Sequence, residues 1–167
     1  MRTLKEGALE FTFPVGIEAA KFDDASHGLS HTMQAVDILA ESATKRWFVE
    51  VKDPGNPMAK RERTQKFLDE LAPGNKHLRG LVQKCRDSWL YQWAKETNFE
   101  EKVNHYFVLL TLPQSVGPGV HSSLQENLRH SLPVTHQRWK RSLVTSIAVL
   151  DIETWNKIGM LGSVRRI

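Results

Sequence analysis

The chain has 167 residues, of which 40% are hydrophobic and 25% are charged, and a formal net charge of +4. These values are typical of one globular domain with its own core, here residues 1–167, and the charge weakly favours a polyanionic partner. The one cysteine, Cys85, excludes an internal disulfide and a zinc cluster of cysteines. With no signal segment or membrane-spanning run apparent, we expect a cytoplasmic protein that contacts no membrane.

The first third of the chain predicts short elements that lead into a hairpin. Alternating apolar residues predict a strand over 9–13, and GIEAAKFDDA predicts a short helix over 16–25. MQAVDILAE and RWFVEVK predict strands over 33–41 and 46–52, joined by SATK, which is the length of a hairpin connection. The turn-forming run DPGNP ends the hairpin.

The rest of the chain predicts alternating helices and strands. A charged helix is expected over 58–71, and an amphipathic helix over 77–96. The apolar stripe of the second helix comprises Leu78, Leu81, Val82, Cys85, Trp89 and Trp93. HYFVLLTLP predicts a central strand over 105–113. The capping-box pattern SLQE predicts a helix over 123–131, and a last strand is expected over 142–155, before a basic tail.

A hairpin followed by helix, strand, helix and strand predicts the α/β (α+β) class. We expect a three-layer core, in which a mixed central sheet is opened by the antiparallel hairpin and flanked by helices. The second hairpin strand is unusual for a core strand because it carries Glu50 and Lys52. Side chains alternate along a strand, so these two share one face with Phe48.

The hairpin register brings two acids together. If residues 42–45 form the loop, Asp37 lies directly opposite Glu50, with Cβ atoms about 5 Å apart. Facing carboxylates repel each other, and a divalent cation such as Mg²⁺, which prefers oxygen ligands, removes that repulsion. Lys52 is a diagonal neighbour, close enough to orient a water molecule or to stabilise charge on a phosphate.

Asp37, followed on the next strand by the run EVK at 50–52, resembles the motif of the PD-(D/E)XK nuclease superfamily, which has a restriction-endonuclease-like fold. The helix–strand–helix order after the hairpin also suits that fold, although no proline precedes Asp37. The resemblance implies that Asp37 and Glu50 bind Mg²⁺ or Mn²⁺, with the carbonyl of Val51 as a further ligand. It implies that Lys52 assists the attacking water in phosphodiester hydrolysis.

The same resemblance implies contributions from outside the hairpin. A helix before the motif often lends a further acid; Glu18 is the candidate, and Asp23 is the alternative. A following helix often places a lysine near the metal, and Lys84 is the candidate. The alternative for Lys84 is a solvated helix face.

The predicted function is that of a metal-dependent phosphodiesterase acting on nucleic acid, DNA in preference to RNA. The residues expected either to bind its phosphate backbone or simply to be solvated are Lys60, Arg61, Arg63, Arg138, Lys140 and Arg141. The small size of the domain suggests a homodimer or a targeting protein partner. The alternative is a catalytically inactive nuclease-like fold that binds a protein or a nucleic acid.

Other motifs are weaker. Asp151 and Glu153 in DIETW look like the opening motif of the DEDD exonucleases, but too little sequence follows them for that fold. We expect these acids to lie exposed at an edge of the last strand. The seven histidines lack zinc-site spacing, and there is no phosphate-binding glycine loop.

Overall fold

The computed structural model describes residues 1–24, 29, 32–71, 76–116, 119–132, 134 and 141–167. Its strands are β1 (Arg2–Glu6), β2 (Leu9–Phe13), β3 (Glu18–Lys21), β4 (Ile38–Glu41), β5 (Lys45–Lys52), β6 (Val103–Leu110), β7 (Ser146–Leu150) and β8 (Ser163–Arg166). Its helices are α1 (Arg61–Asp69), α2 (Lys76–Lys95), α3 (Gly119–Ser131) and α4 (Ile152–Ile158).

The central sheet has five strands in the order β3-β4-β5-β6-β7. β4 is antiparallel to both β3 and β5, whereas β5, β6 and β7 run parallel to one another. Helices lie between the parallel strands in sequence, as crossover connections require. The predicted α+β class is therefore confirmed, with a mixed sheet opened by an antiparallel hairpin.

A smaller antiparallel sheet, in the order β1-β2-β8, covers part of the central sheet. β2 forms as its alternation predicts, because Leu9, Phe11 and Phe13 are all buried. No strand was predicted in the basic tail, but it contains β8, which pairs with β2. Its Val164 is buried in the same core as Phe11, and that burial stabilises the strand.

Successive residues of β5 face different layers. Phe48 packs in a core with residues of α1, α2 and α3, whereas Trp47 and Val49 pack in a core with the small sheet and α4. Helices thus flank one face of the central sheet, and a sheet with one helix covers the other. Glu50 and Lys52 are on the helical face, as the alternation predicts.

Two predicted elements near the hairpin are wrong. Residues 16–25 contain β3 instead of a helix, because this segment lacks a helical apolar stripe and Ala19 is buried beside Ala40 at the edge of the sheet. The predicted strand over 33–41 is a strand only from Ile38. The amides of Gln34 and Val36 donate to side chains of α2 and not to a neighbouring strand.

The later boundaries also need correction. α3 begins at Gly119, so Ser123 lies inside the helix and is not its cap. The predicted strand over 142–155 divides into β7 and α4. Asp151 ends the strand because its carboxylate caps α4, accepting a hydrogen bond from the Thr154 amide at 2.7 Å.

Candidate active site

Asp37 and Glu50 lie opposite each other at one end of the hairpin. The pairing of Ile38 with Val49 places Asp37 across from Glu50, as the predicted register requires. Both residues are buried, with exposures of 6% and 0%. The Val51 amide donates a hydrogen bond of 2.6 Å to Asp37 Oδ2, which fixes this carboxylate against β5.

Two lysines contact the acidic pair. Lys84 Nζ on α2 lies 2.7 Å from Glu50 Oε1 and 3.1 Å from Asp37 Oδ1, so it bridges the two carboxylates. Lys52 Nζ lies 2.5 Å from the same Glu50 oxygen. α2 therefore directs Lys84 towards the hairpin and not onto a solvated face. Together Asp37, Glu50, Lys52 and Lys84 form what we call the carboxylate–lysine cluster.

Burial sets the protonation behaviour of the cluster. Burial raises the pKa of Glu50, the charge of Asp37 raises it further, and the nearby Lys52 and Lys84 only partly oppose this. For Lys84, burial acts to lower the pKa, but the attraction of Glu50 and Asp37 exceeds that effect and raises it. Burial thus disfavours the ionised form of Glu50, whereas the two acids favour the charged form of Lys84.

The cluster has free ligand capacity suited to a hard cation. Glu50 Oε2 is buried and has no hydrogen-bond partner among the described residues. The Val51 amide points towards Asp37. The amide and carbonyl of one strand residue face the same neighbouring strand, so the Val51 carbonyl is also on the side of β5 that faces Asp37. Mg²⁺ accepts one or two carboxylates with water and phosphate as its other ligands. These oxygens fit it, although the described part of the chain contains no group of three or more acidic, histidine or cysteine ligands.

Side chains of α2 hold the segment that carries Asp37. Ser88 Oγ accepts the Val36 amide at 2.9 Å, and Asp87 Oδ2 accepts the Gln34 amide at 2.8 Å. Ser88 lies one helical turn after Lys84 and is fully buried. Sequence reasoning missed Ser88. Its signal was the four-residue spacing from Lys84, which places both side chains on one helix face.

A cleft of about 400 Å³ lies between α2 and the end of β5. Glu50 is at its floor. The basic side chains that line it are Lys52, Lys76, His77, Arg79 and Lys84. This cationic lining beside a buried acidic pair suits a ligand that carries phosphate groups.

Glu18 is not part of this cluster. It begins β3 and pairs with Glu41, whereas the other end of β3 approaches Asp37. Glu41 lies four positions after Asp37, which is about 13 Å along the sheet. The predicted role for Glu18 required a helix before the hairpin, and the segment is a strand. The alternative acid, Asp23, is exposed just beyond that nearer end of β3.

The predicted basic clusters lie away from the cleft or outside the described residues. Lys60, Arg61 and Arg63 are exposed at the start of α1, and Arg61 lines a different depression, beside the loop after β6. Arg141 lines a groove near the beginnings of β6 and β7, at the opposite end of the parallel strands. Arg138 and Lys140 are outside the described residues.

The two acids of DIETW, Asp151 and Glu153, lie at the start of α4. Asp151 caps α4, and its hydrogen bonds with Thr154 lower its pKa against the opposing effect of burial. Glu153 is exposed in the first turn of α4. This is the usual role of acids at a helix N-terminus, so the exonuclease resemblance has no structural counterpart here.

Comparison of the chain with protein-family models, with curated proteins and with solved structures finds no match. Among the described helices, none combines the length and apolarity needed to cross a membrane.

Proposed function

We propose that this protein is a cytoplasmic phosphodiesterase that depends on Mg²⁺ or Mn²⁺ and cleaves nucleic acid. The observation that carries the proposal is the fully buried Glu50 carboxylate, which faces Asp37 and whose Oε2 lacks a partner within the described structure. Burying an ionised carboxylate costs roughly several kcal/mol unless all of its oxygens have partners. A bound cation supplies the missing partner.

The resemblance to the PD-(D/E)XK superfamily supports the same residues. Its Asp falls at Asp37, directly before β4, and its EVK run falls on β5, so that Asp37 and Glu50 are opposed across the hairpin. The preference for DNA over RNA, and a homodimer or targeting partner, remain parts of the proposal that rest on the sequence alone.

Three members of the cluster, together with Val51, have assigned roles in this proposal. Asp37, Glu50 and the Val51 carbonyl hold the metal, which when bound lowers the pKa of water and offsets phosphate charge. Lys52 has 28% of its side chain exposed while its Nζ contacts Glu50, so it reaches both the acid and the solvent. It positions the attacking water and stabilises charge on the phosphate.

One observation favours the second candidate, an inactive fold that binds a partner. Lys52 and Lys84 already balance the two carboxylates in number, so the cluster is also consistent with a structural ion-pair network. The two candidates differ in one property. A structural network has no reason to bind divalent cations.

The test is cleavage of plasmid DNA and single-stranded DNA with Mg²⁺ or Mn²⁺. We expect cutting by the wild type, and its loss in Glu50→Gln and Lys52→Ala. Two control variants retain cutting: Glu153→Gln, an exposed acid, and Lys45→Ala, an exposed lysine at the other end of β5. A wild-type protein that cuts neither substrate with either metal would contradict the proposal.

A further inference from the structure

We propose that the first two turns of α2 form a track that binds the phosphate backbone of nucleic acid beside the carboxylate–lysine cluster. This inference rests on the proposed function, because it assigns the substrate-binding surface of the same site. It adds to the backbone contacts that the sequence suggested. The residues that form the track are Lys76, Arg79 and Gly80.

The cations that line the cleft differ in whether they form ion pairs. Lys52 and Lys84 pair with the buried acids, whereas Lys76 and Arg79 are exposed and form no ion pair with any residue that the structure describes. His77 belongs to the wall of the cleft, because it bonds to Glu70 at 2.8 Å and packs on the Phe67 ring. Among the described residues that line the cleft, Lys76 and Arg79 are therefore the cations available to bind an anion.

The spacing of the cations suits a polymer better than a single phosphate. Lys76 and Lys84 are eight residues apart on one helix, which is about 12 Å along the axis. That distance corresponds to roughly three to four phosphates of one strand in axial projection. A backbone lying along this face would contact Lys76 and Arg79 and lead one phosphate to Asp37 and Glu50.

Gly80 keeps the middle of the track open. It lies four residues from both Lys76 and Lys84, lines the cleft, and a Cβ atom built there would meet nothing within 4 Å. A glycine inside a helix costs about 1 kcal/mol relative to alanine. A side chain at this position would project into the cleft, so its charge would report directly on bound phosphate.

The experiment measures binding of a fluorescein-labelled single-stranded DNA, and of its duplex, by fluorescence anisotropy in EDTA. We expect the double variant Lys76→Ala, Arg79→Ala to bind about tenfold more weakly, with a salt slope lower by about 2. Gly80→Glu should weaken binding, and Gly80→Lys should strengthen it. The charge-matched control is Arg129→Ala, Lys157→Ala, on exposed positions of α3 and α4.

Melting temperatures for the two Gly80 variants verify that each is folded. The inference is overturned if the wild type binds neither DNA, or if the cleft variants bind as the control does. Cleavage in Mn²⁺ separates this inference from the proposed function. Binding through the cleft without cleavage supports the track and contradicts the nuclease, whereas cleavage that is insensitive to the Gly80 variants does the reverse.

Discussion

Glu50 is the residue at which function and stability conflict most. Its carboxylate is fully buried, and one oxygen lacks a partner in the described structure, so the ionised form is stabilised less in the fold than in water. Lys52 and Lys84 reduce this cost without removing it, which is why the pKa of Glu50 remains raised. Such a group is characteristic of binding and catalytic sites.

The first prediction concerns the pH dependence of stability. Because the folded-state pKa of Glu50 lies above its ordinary value of 4.5, the folded protein retains this proton to higher pH than the unfolded chain. Glu50 therefore contributes most to the stability of the fold below pH 4.5. This contribution falls as the pH rises towards the folded-state pKa. In EDTA, Glu50→Gln should therefore gain stability relative to the wild type as the pH rises from 4.5 towards neutral.

Urea unfolding at several pH values checks this prediction. The free energy of unfolding of Glu50→Gln, relative to that of the wild type, should decrease as the pH falls towards 4.5. Glu153→Gln, at an exposed position, should show no such trend. A difference that is independent of pH would show that the raised pKa of Glu50 has no effect on folding.

The second prediction concerns Lys84. Lys84→Met removes the ammonium that bridges Asp37 and Glu50, so the metal-free protein should lose about 1–3 kcal/mol of stability. Added Mn²⁺ should raise the melting temperature of Lys84→Met by more than it raises that of the wild type. The reason is that the two carboxylates of the variant lack the bridging ammonium of Lys84. Lys95→Met, an exposed position on the same helix, is the control. Equal responses to Mn²⁺ would count against a metal site here.

At the scale of elements, α2 shows why part of the site could not be predicted. Its apolar residues Leu78, Leu81, Val82 and Cys85 follow the predicted stripe. Farther along, however, the buried positions are Ser88 and Gln92, while Trp93 is 51% exposed. Periodicity identifies a helix and its buried face. It does not show that Ser88 would meet the backbone of a segment 52 residues earlier.

The third prediction follows from that contact. Ser88→Ala leaves the buried Val36 amide without its acceptor, so we expect a loss of about 1–3 kcal/mol in the free energy of unfolding. Because Val36 adjoins Asp37, divalent-cation affinity should fall as well. Ser123→Ala, at an exposed position inside α3, should change neither quantity. Unaltered stability of Ser88→Ala in urea unfolding would contradict the role given to α2.

The hairpin and the C-terminal strand β8 differ in how well the local sequence predicts them. The hairpin register was predicted because its short loop leaves one pairing, with Glu41 beside Arg46. β8 was missed because the pairing that forms it joins residues 163–166 to 9–12, and a basic strand whose main apolar residue is Val164 has little local signal. Strands defined by distant partners are the ones that a local pattern does not identify.

The fourth prediction tests the attachment of β8. Gly162 has a positive φ of 83°, and a Cβ atom there would lie 2.0 Å from the Thr12 carbonyl oxygen. Gly162→Ala should therefore destabilise the protein by about 2–4 kcal/mol. Gly80→Ala, the same substitution in an open helical position, should stabilise it by about 1 kcal/mol. Thermal unfolding that ranks the two variants in the reverse order would refute this reading of the two glycines.

At the scale of the whole molecule, the small sheet is tied to the site end of the hairpin. Arg166 of β8 donates hydrogen bonds of 2.9 and 2.7 Å to the two carboxylate oxygens of Asp53, which directly follows Lys52. Composition and element order predicted the class and the central sheet. The second sheet was not predicted, because neither β1 nor β8 has a sequence pattern that identifies it as a strand.

The distribution of charge matters more than the net charge of +4. Basic residues gather in one cleft above two buried acids, an arrangement that suits a phosphate chain and a divalent cation together. Counting basic runs along the sequence led to Lys60, Arg61 and Arg63, which lie elsewhere. The fold brings Lys76 and Arg79 to the cleft through the packing of α2 against the hairpin.

The most direct test of the central claim is a calorimetric titration of the purified protein with Mn²⁺. We expect binding by the wild type that is lost in both Glu50→Gln and Asp37→Asn, and retained in Glu153→Gln. No binding by the wild type, or binding that Glu50→Gln leaves unchanged, would contradict the assignment of these two acids as a metal site.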